Sequence, residues 1–151
     1  MICYEKLVLS DENLPELTQL TSLSEQWAEE KTIPSYTPNK AEEFLNRELY
    51  VAREDDTIIA YALGDIKILT EKTSYNAVGE SAFELDELYV KPAYRSQGIG
   101  QKLYRFMEND LLHKVSVIGV IAASYHYLEL LRFYSDDLGM SFNHALLTKR
   151  L

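Results

Sequence analysis

The sequence holds a single cysteine, Cys3, so no intrachain disulfide can form. A reducing, cytoplasmic setting is the expectation. Basic residues are scarce: 15 Lys and Arg stand against 24 Asp and Glu, a formal net charge of -9. Nucleic-acid phosphates are bound mainly by Lys and Arg, so nucleic acid is not an expected partner. An acidic body serves solubility, and it also attracts a cationic amine. No apolar run approaches the roughly 18 residues that crossing a bilayer demands, so no membrane partner is expected either. The first residues, Met1-Ile2-Cys3-Tyr4-Glu5-Lys6, lack the pattern of a signal peptide. The three histidines, His113, His126 and His144, are scattered and show no metal-ligand spacing. No serine stands on a nucleophile elbow. With no repeat, linker or low-complexity stretch, the 151 residues suit one domain, 1–151.

What is present reads as an α/β mixture. Tyr4 to Leu9 alternates as a first strand. Ser10-Asp11 can cap a helix that carries Leu14, Leu17, Leu20, Leu23 and Trp27 at helical spacing to about Glu30. Ile33 to Pro38 breaks it. Asn39 with Glu42 resembles a capping box, which predicts a short helix to about Leu49. Strands are expected at Tyr50–Arg53, Thr57–Leu69 and Phe83–Val90, with a polar loop over Thr70–Ser81. A helix follows over Ile99–His113. The apolar run Val115–Ala122 predicts a strand buried on both faces. Leu128–Ser135 reads as a helix and Ala145–Leu151 as a final strand. The expected architecture is a mixed central sheet of about six or seven strands flanked by about four helices.

One segment points to chemistry. A strand ending at Val90 runs through Lys91-Pro92-Ala93-Tyr94 into Arg95-Ser96-Gln97-Gly98-Ile99-Gly100 and then a helix. Glycines let backbone approach a ligand closely. A helix start offers unpaired N–H groups and partial positive charge, so the unit is a seat for phosphate. Arg95 can add a charged contact. The segment lacks both the Gly-Lys-Ser/Thr ending of a P-loop and the three-glycine spacing of a dinucleotide fingerprint. Arg-x-x-Gly-x-Gly after a strand resembles the pyrophosphate motif of the GNAT superfamily of acyl-CoA-dependent N-acyltransferases. Leu85 to Arg95 looks like that family's fourth strand entering its loop, and Phe133-Tyr134 before Leu138-Gly139-Met140 looks like its last helix and turn.

The resemblance implies acetyl-CoA as cosubstrate, contacted by Leu88, Tyr89 and Val90 at the strand end and by Arg95, Ser96, Gln97, Gly98, Ile99, Gly100 and Gln101 beyond it. It implies direct acetyl transfer to an amine on a small molecule or a peptide, and it allows a homodimer. An alkylamine with a pKa near 10.4 is almost wholly protonated at pH 7, which is worth roughly 4–5 kcal/mol of barrier. A base, direct or through water, is therefore expected. Glu84, Asp86 and Glu87 are the candidates. Asp86 matches the family's acid best; in a regular strand Asp86 and Glu87 face opposite sides, and a bulge reverses the choice. A backbone N–H near Leu88 is the expected donor to the developing oxyanion.

Tyr134 stands where the family carries the tyrosine that protonates the leaving thiolate. Its interval to Gly139 is one residue longer than the family's usual one. Trp27, Tyr36 and Tyr75 are the residues expected to shape the acceptor pocket. A reading without turnover, an acyl-CoA-binding sensor on the same fold, needs neither Tyr134 nor the acidic pair.

Overall fold

The computed structural model describes all residues, 1–151. Its sheet has five strands in sequential order: β1 Ile2–Leu7, β2 Glu48–Glu54, β3 Thr57–Ile68, β4 Ser81–Val90 and β5 Val117–Val120. β1 to β4 are antiparallel neighbours, and β5 joins β4 in parallel. The mixed α/β class expected from the sequence is the class observed.

Two helical layers sandwich the sheet, and strand alternation assigns each side chain to a layer. Helix α1, Leu14–Glu30, buries Leu17, Leu20 and Leu23. They meet Leu49, Val51, Tyr61, Leu63 and Tyr89, together with Phe44 from a 3-10 turn over Ala41–Phe44. Helix α2, Ile99–Leu111, covers the other face with Ile99, Leu103, Tyr104, Met107 and Leu111. These pack on Tyr50, Ala52, Ala60, Ala62, Phe83 and Leu85. A fully buried leucine of this kind contributes about 1.5–3 kcal/mol. Helix α3, Tyr127–Arg132, continues into a single π turn over Phe133–Asp137. No helix is long and apolar enough to cross a membrane.

Several expectations are corrected. α1 starts at Leu14, with Pro15 in its first turn, because Asn13 Oδ1 accepts the Ser10 N–H at 2.9 Å and closes a turn ahead of the helix. The helix expected from Asn39 to Leu49 is only the 3-10 turn. Its reciprocal cap is one residue later, where Glu43 accepts the Lys40 N–H at 2.8 Å, and β2 claims the chain from Glu48. β5 is shorter than the apolar run and only half-buried, because it is the sheet's edge.

The final strand is not formed. Residues 139–151 carry no regular structure, and Leu146, Leu147 and Leu151 are exposed. The sheet ends at β1 on one side and β5 on the other, and neither edge takes up this stretch as a further strand. The sheet therefore has five strands rather than six or seven, and three helices flank it rather than four.

Candidate active site

Two irregularities create the site. The first is a bulge in β4. Gly64 pairs with Leu85 and Leu63 pairs with Glu87, so Asp86 is the extra residue without a partner on β3. A strand alternates faces, so Phe83 and Leu85 on the α2 side would put Glu87 and Tyr89 there too. The bulge inverts this parity. Tyr89 now packs with the α1 layer, and Glu87 meets Tyr36 and Tyr61. Gly64 makes the bulge feasible: a Cβ there would stand 2.2 Å from the Glu84 carbonyl oxygen and 2.5 Å from the Phe83 ring.

The second irregularity is a splay. β4 and β5 pair only from Ala82–Val117 to Leu85–Val120. Beyond that point the strands part, and β4 from Asp86 to Val90 has a strand neighbour on the β3 side alone. A cavity of about 130 Å³ opens there. Asp86, Glu87 and Leu88 line it from β4, Val120 to Ala123 from the end of β5, Trp27, Ile33 and Tyr36 from the α1 side, and Leu130 and Tyr134 from the last helical segment.

Glu87 is its most elaborated group. Its carboxylate accepts from Tyr36 Oη at 2.8 Å, from Tyr61 Oη at 3.1 Å and from Asn39 Nδ2. An ionised carboxylate only accepts, so Tyr36 donates to it. Ser24 Oγ then donates to Tyr36 at 2.8 Å and accepts the Asn39 N–H at 2.7 Å. Burial raises the Glu87 pKa, and the hydrogen bonds from Tyr36, Tyr61 and Asn39 act against that rise. Asp86 differs. It is exposed and pairs with Arg47, whose Nε also binds Asp65 at 3.0 Å. Glu84 pairs with Lys67 at 2.6 Å on the exposed part of the sheet.

Tyr134 projects from the π turn. Leu138 N–H reaches back five residues to the Phe133 carbonyl at 3.1 Å, so the turn absorbs the extra residue between Tyr134 and Gly139. Gln101 and Arg105 of α2 both bind the Asp137 carbonyl and fix the turn against the helix. The Tyr134 ring is 7% exposed, and its hydroxyl, open to the cavity, has no partner in the protein. Burial raises its pKa, so the phenol keeps its proton through neutral pH.

The loop before α2 carries a row of free donors. The six N–H groups from Ser96 to Gln101 make no hydrogen bond within the protein. Ser96 and Gly98 adopt left-handed backbone angles (φ 60° and 77°), the local geometry from which backbone anion seats are built. No acidic residue stands in the first turn of α2. The donor set fits the pyrophosphate of a nucleotide cosubstrate. The Arg95 guanidinium is engaged with Glu30 (2.8 Å from Nη2), with the Val90 carbonyl (2.9 Å) and with the face of Tyr89. Tyr89 in turn donates to Glu30 at 2.9 Å and stacks on Trp27.

The structure thus brings together Glu87, Asp86, Leu88, Tyr134, Trp27 and Tyr36. It places Tyr75 elsewhere, in a separate cavity with Tyr104 and Met140. Sequence reasoning missed Ser24, Asn39, Tyr61, Glu30 and Arg47. Ser24 alone carried a signal, a polar residue inside an apolar helical stripe.

The acetyltransferase (GNAT) family model matches residues 14–140. The fold is similar to an aminoglycoside acetyltransferase from an uncultured soil metagenomic sample, at 18% identity and a TM-score of 0.72, covering 99% of this chain and 95% of that one. It is also similar to the ribosomal-protein-alanine N-acetyltransferase of Brucella melitensis (16%, TM-score 0.68, 100% of both chains). A third similar structure is a predicted acetyltransferase with acetyl-CoA from Clostridium acetobutylicum (19%, TM-score 0.68, 99% and 96%). No curated protein matches the sequence.

Proposed function

We propose that this chain, which belongs to the GNAT acetyltransferase family, transfers acetyl from acetyl-CoA directly to an amine, with Glu87 as base and Tyr134 as acid. One observation carries the reading. A partly buried carboxylate with a raised pKa and a buried phenol without a hydrogen-bond partner line one cavity at the point where β4 and β5 part. A binding module needs neither group.

Acetyl-CoA supplies the thioester whose C–S bond breaks as the C–N bond to the amine forms. The N–H groups of Ser96 to Gln101 would hold its pyrophosphate, and Arg95, anchored on Glu30, would keep that loop in place. The free edge of β4 from Leu88 to Val90 would hold the pantetheine arm and present an N–H near Leu88 to the acetyl oxygen. Glu87 takes the ammonium proton, directly or through water. Its raised pKa brings it closer to the operating pH, where a base is most effective. Tyr134 delivers a proton to the departing sulfur. Asp86 is less suited to the base role, since Arg47 stabilises its charge and it faces solvent. A cytoplasmic location is consistent with the exposed thiol of Cys3.

The test is thermal denaturation with acetyl-CoA or NADH. Ligand at 100 times its dissociation constant adds about 2.7 kcal/mol, a shift of a few degrees at this size. A shift with acetyl-CoA and none with NADH is expected. No shift at millimolar acetyl-CoA would overturn the reading.

A further inference from the structure

Ser24 is out of place on α1. It is fully buried in a stripe otherwise made of Leu17, Leu20 and Leu23. Alanine would suit a helix interior better, and a buried hydroxyl is costly unless it is hydrogen-bonded. Both bonds that Ser24 makes lead toward Glu87. Its Oγ donates to Tyr36 Oη at 2.8 Å and accepts the Asn39 N–H at 2.7 Å. Tyr36 Oη and Asn39 Nδ2 in turn donate to the Glu87 carboxylate, beside Tyr61 Oη.

These donors divide unequally between the two carboxylate oxygens. Oε1 accepts from Tyr61, at 3.1 Å, and from Asn39. Oε2 accepts from Tyr36 alone. A carboxylate oxygen offers about two lone-pair sites, so Oε1 is filled and the free site is on Oε2. The proton of the acceptor amine, or of a water that relays it, arrives there. It competes with the bond from Tyr36, whose hydroxyl Ser24 polarises by donating to it. Through Asn39, Ser24 also keeps Oε1 occupied, which stops the carboxylate from turning and exchanging its oxygens.

We infer that Ser24 is a positioning residue for the proposed base: from inside α1 it orients the Glu87 carboxylate so that Oε2 takes the proton. This rests on the acetyltransferase reading above. Burial raises the Glu87 pKa, and the hydrogen bond from Tyr36 is the largest contact acting against that rise, ahead of Tyr61, Asn39 and the charge of Arg47. The other titratable or charged groups around Glu87 are Tyr61 on β3, Arg47 ahead of β2, Asp86 on β4 and Tyr134 on the π turn. None of them hydrogen-bonds to Ser24, so a change at Ser24 reaches Glu87 through Tyr36 and Asn39.

The experiment follows the Glu87 carboxyl carbon by NMR in a pH titration of protein carrying isotope-labelled glutamate, with Glu87→Gln identifying the signal. In Ser24→Ala the midpoint is expected to rise by about half a pH unit or more. Ser24→Thr keeps the hydroxyl and is expected to titrate as the wild type does. On a Tyr36→Phe background the effect of Ser24→Ala is expected to shrink to less than half. A packing role for Ser24 would lower the melting temperature and leave the midpoint in place, and that result would overturn the inference. An equal rise with and without the Tyr36 hydroxyl would overturn it as well. Melting with acetyl-CoA on the same samples keeps the two claims apart. An unmoved midpoint in a protein that acetyl-CoA stabilises removes the role of Ser24 and leaves the acetyltransferase reading standing. A moved midpoint with no acetyl-CoA stabilisation removes that reading and leaves Ser24 as the residue that holds Glu87.

Discussion

Tyr36 donates its hydroxyl proton to the carboxylate of Glu87 across 2.8 Å. The pair joins the segment after α1 to the bulge of β4, fifty-one positions later in the chain. It ties the orientation of the proposed base to the loop that forms one wall of its cavity.

Glu87→Gln keeps the shape and removes the proton acceptor. Its kcat is expected to fall by about 100-fold or more, with the affinity for acetyl-CoA unchanged. Steady-state kinetics beside a binding isotherm separate the two. A fall of less than about threefold would shift the base role to water or Asp86.

The pH profile carries a sign. Activity requires ionised Glu87, so it falls as pH drops through that group's raised pKa. Tyr36→Phe deletes a hydrogen bond that favours the ionised form. The acid limb of kcat/KM should move to higher pH in this variant. A limb that stays in place, or moves to lower pH, would dissociate it from Glu87.

For Tyr134→Phe, the expected change is a drop in kcat of about tenfold or more at constant KM for acetyl-CoA. A solvent-deprotonated thiolate leaving unaided would give no drop, and Tyr134 would then be a packing residue.

Gly64 carries a conformational demand. Gly64→Ala places a methyl group against the Glu84 carbonyl oxygen. Strand β4 must shift or the bulge must relax, at a cost of about 2 kcal/mol or more. Urea denaturation measures the cost, and an activity loss beyond the loss of folded protein would show the bulge moving Glu87.

Acid stability has a separate source. Burial raises the Asp110 pKa, but hydrogen bonds from Lys114, Tyr50 and Lys6 outweigh it and hold the group at about 2. A depressed carboxylate contributes stability above its unfolded pKa near 3.8 and loses it as pH falls toward 2. Between pH 4 and pH 2 the wild-type melting temperature should therefore drop further than that of Asp110→Asn. Parallel curves would remove Asp110 as the cause.

Much of this was legible from the sequence, and the exceptions share a cause. The leucines of α1 and the apolar stripe of α2 announce their helices, because period and burial agree there. The Arg95 to Gly100 loop is local chemistry, so its free N–H groups could be anticipated. Which acid meets Tyr36 and Tyr61 could not be fixed, because that depends on how β4 registers against Gly64, a contact between strands. Glu30 and Arg47 were invisible for the same reason, since their partners lie 65 and 39 positions away. The final strand was overcalled because β-propensity does not reveal whether a partner strand exists.

The bulge at Asp86 also bears on how such a site changes over time. Point substitutions at 86 or 87 swap one side chain while each position keeps its face. Removing Asp86 makes Leu85 and Glu87 consecutive, so plain alternation then keeps Leu85 toward α2 and Glu87 and Tyr89 toward α1, in the register they already hold on β3. A change of length by a single codon would therefore do what no single substitution in the strand can: straighten β4 and take away the exposed acid while leaving Glu87 on its own face of the sheet.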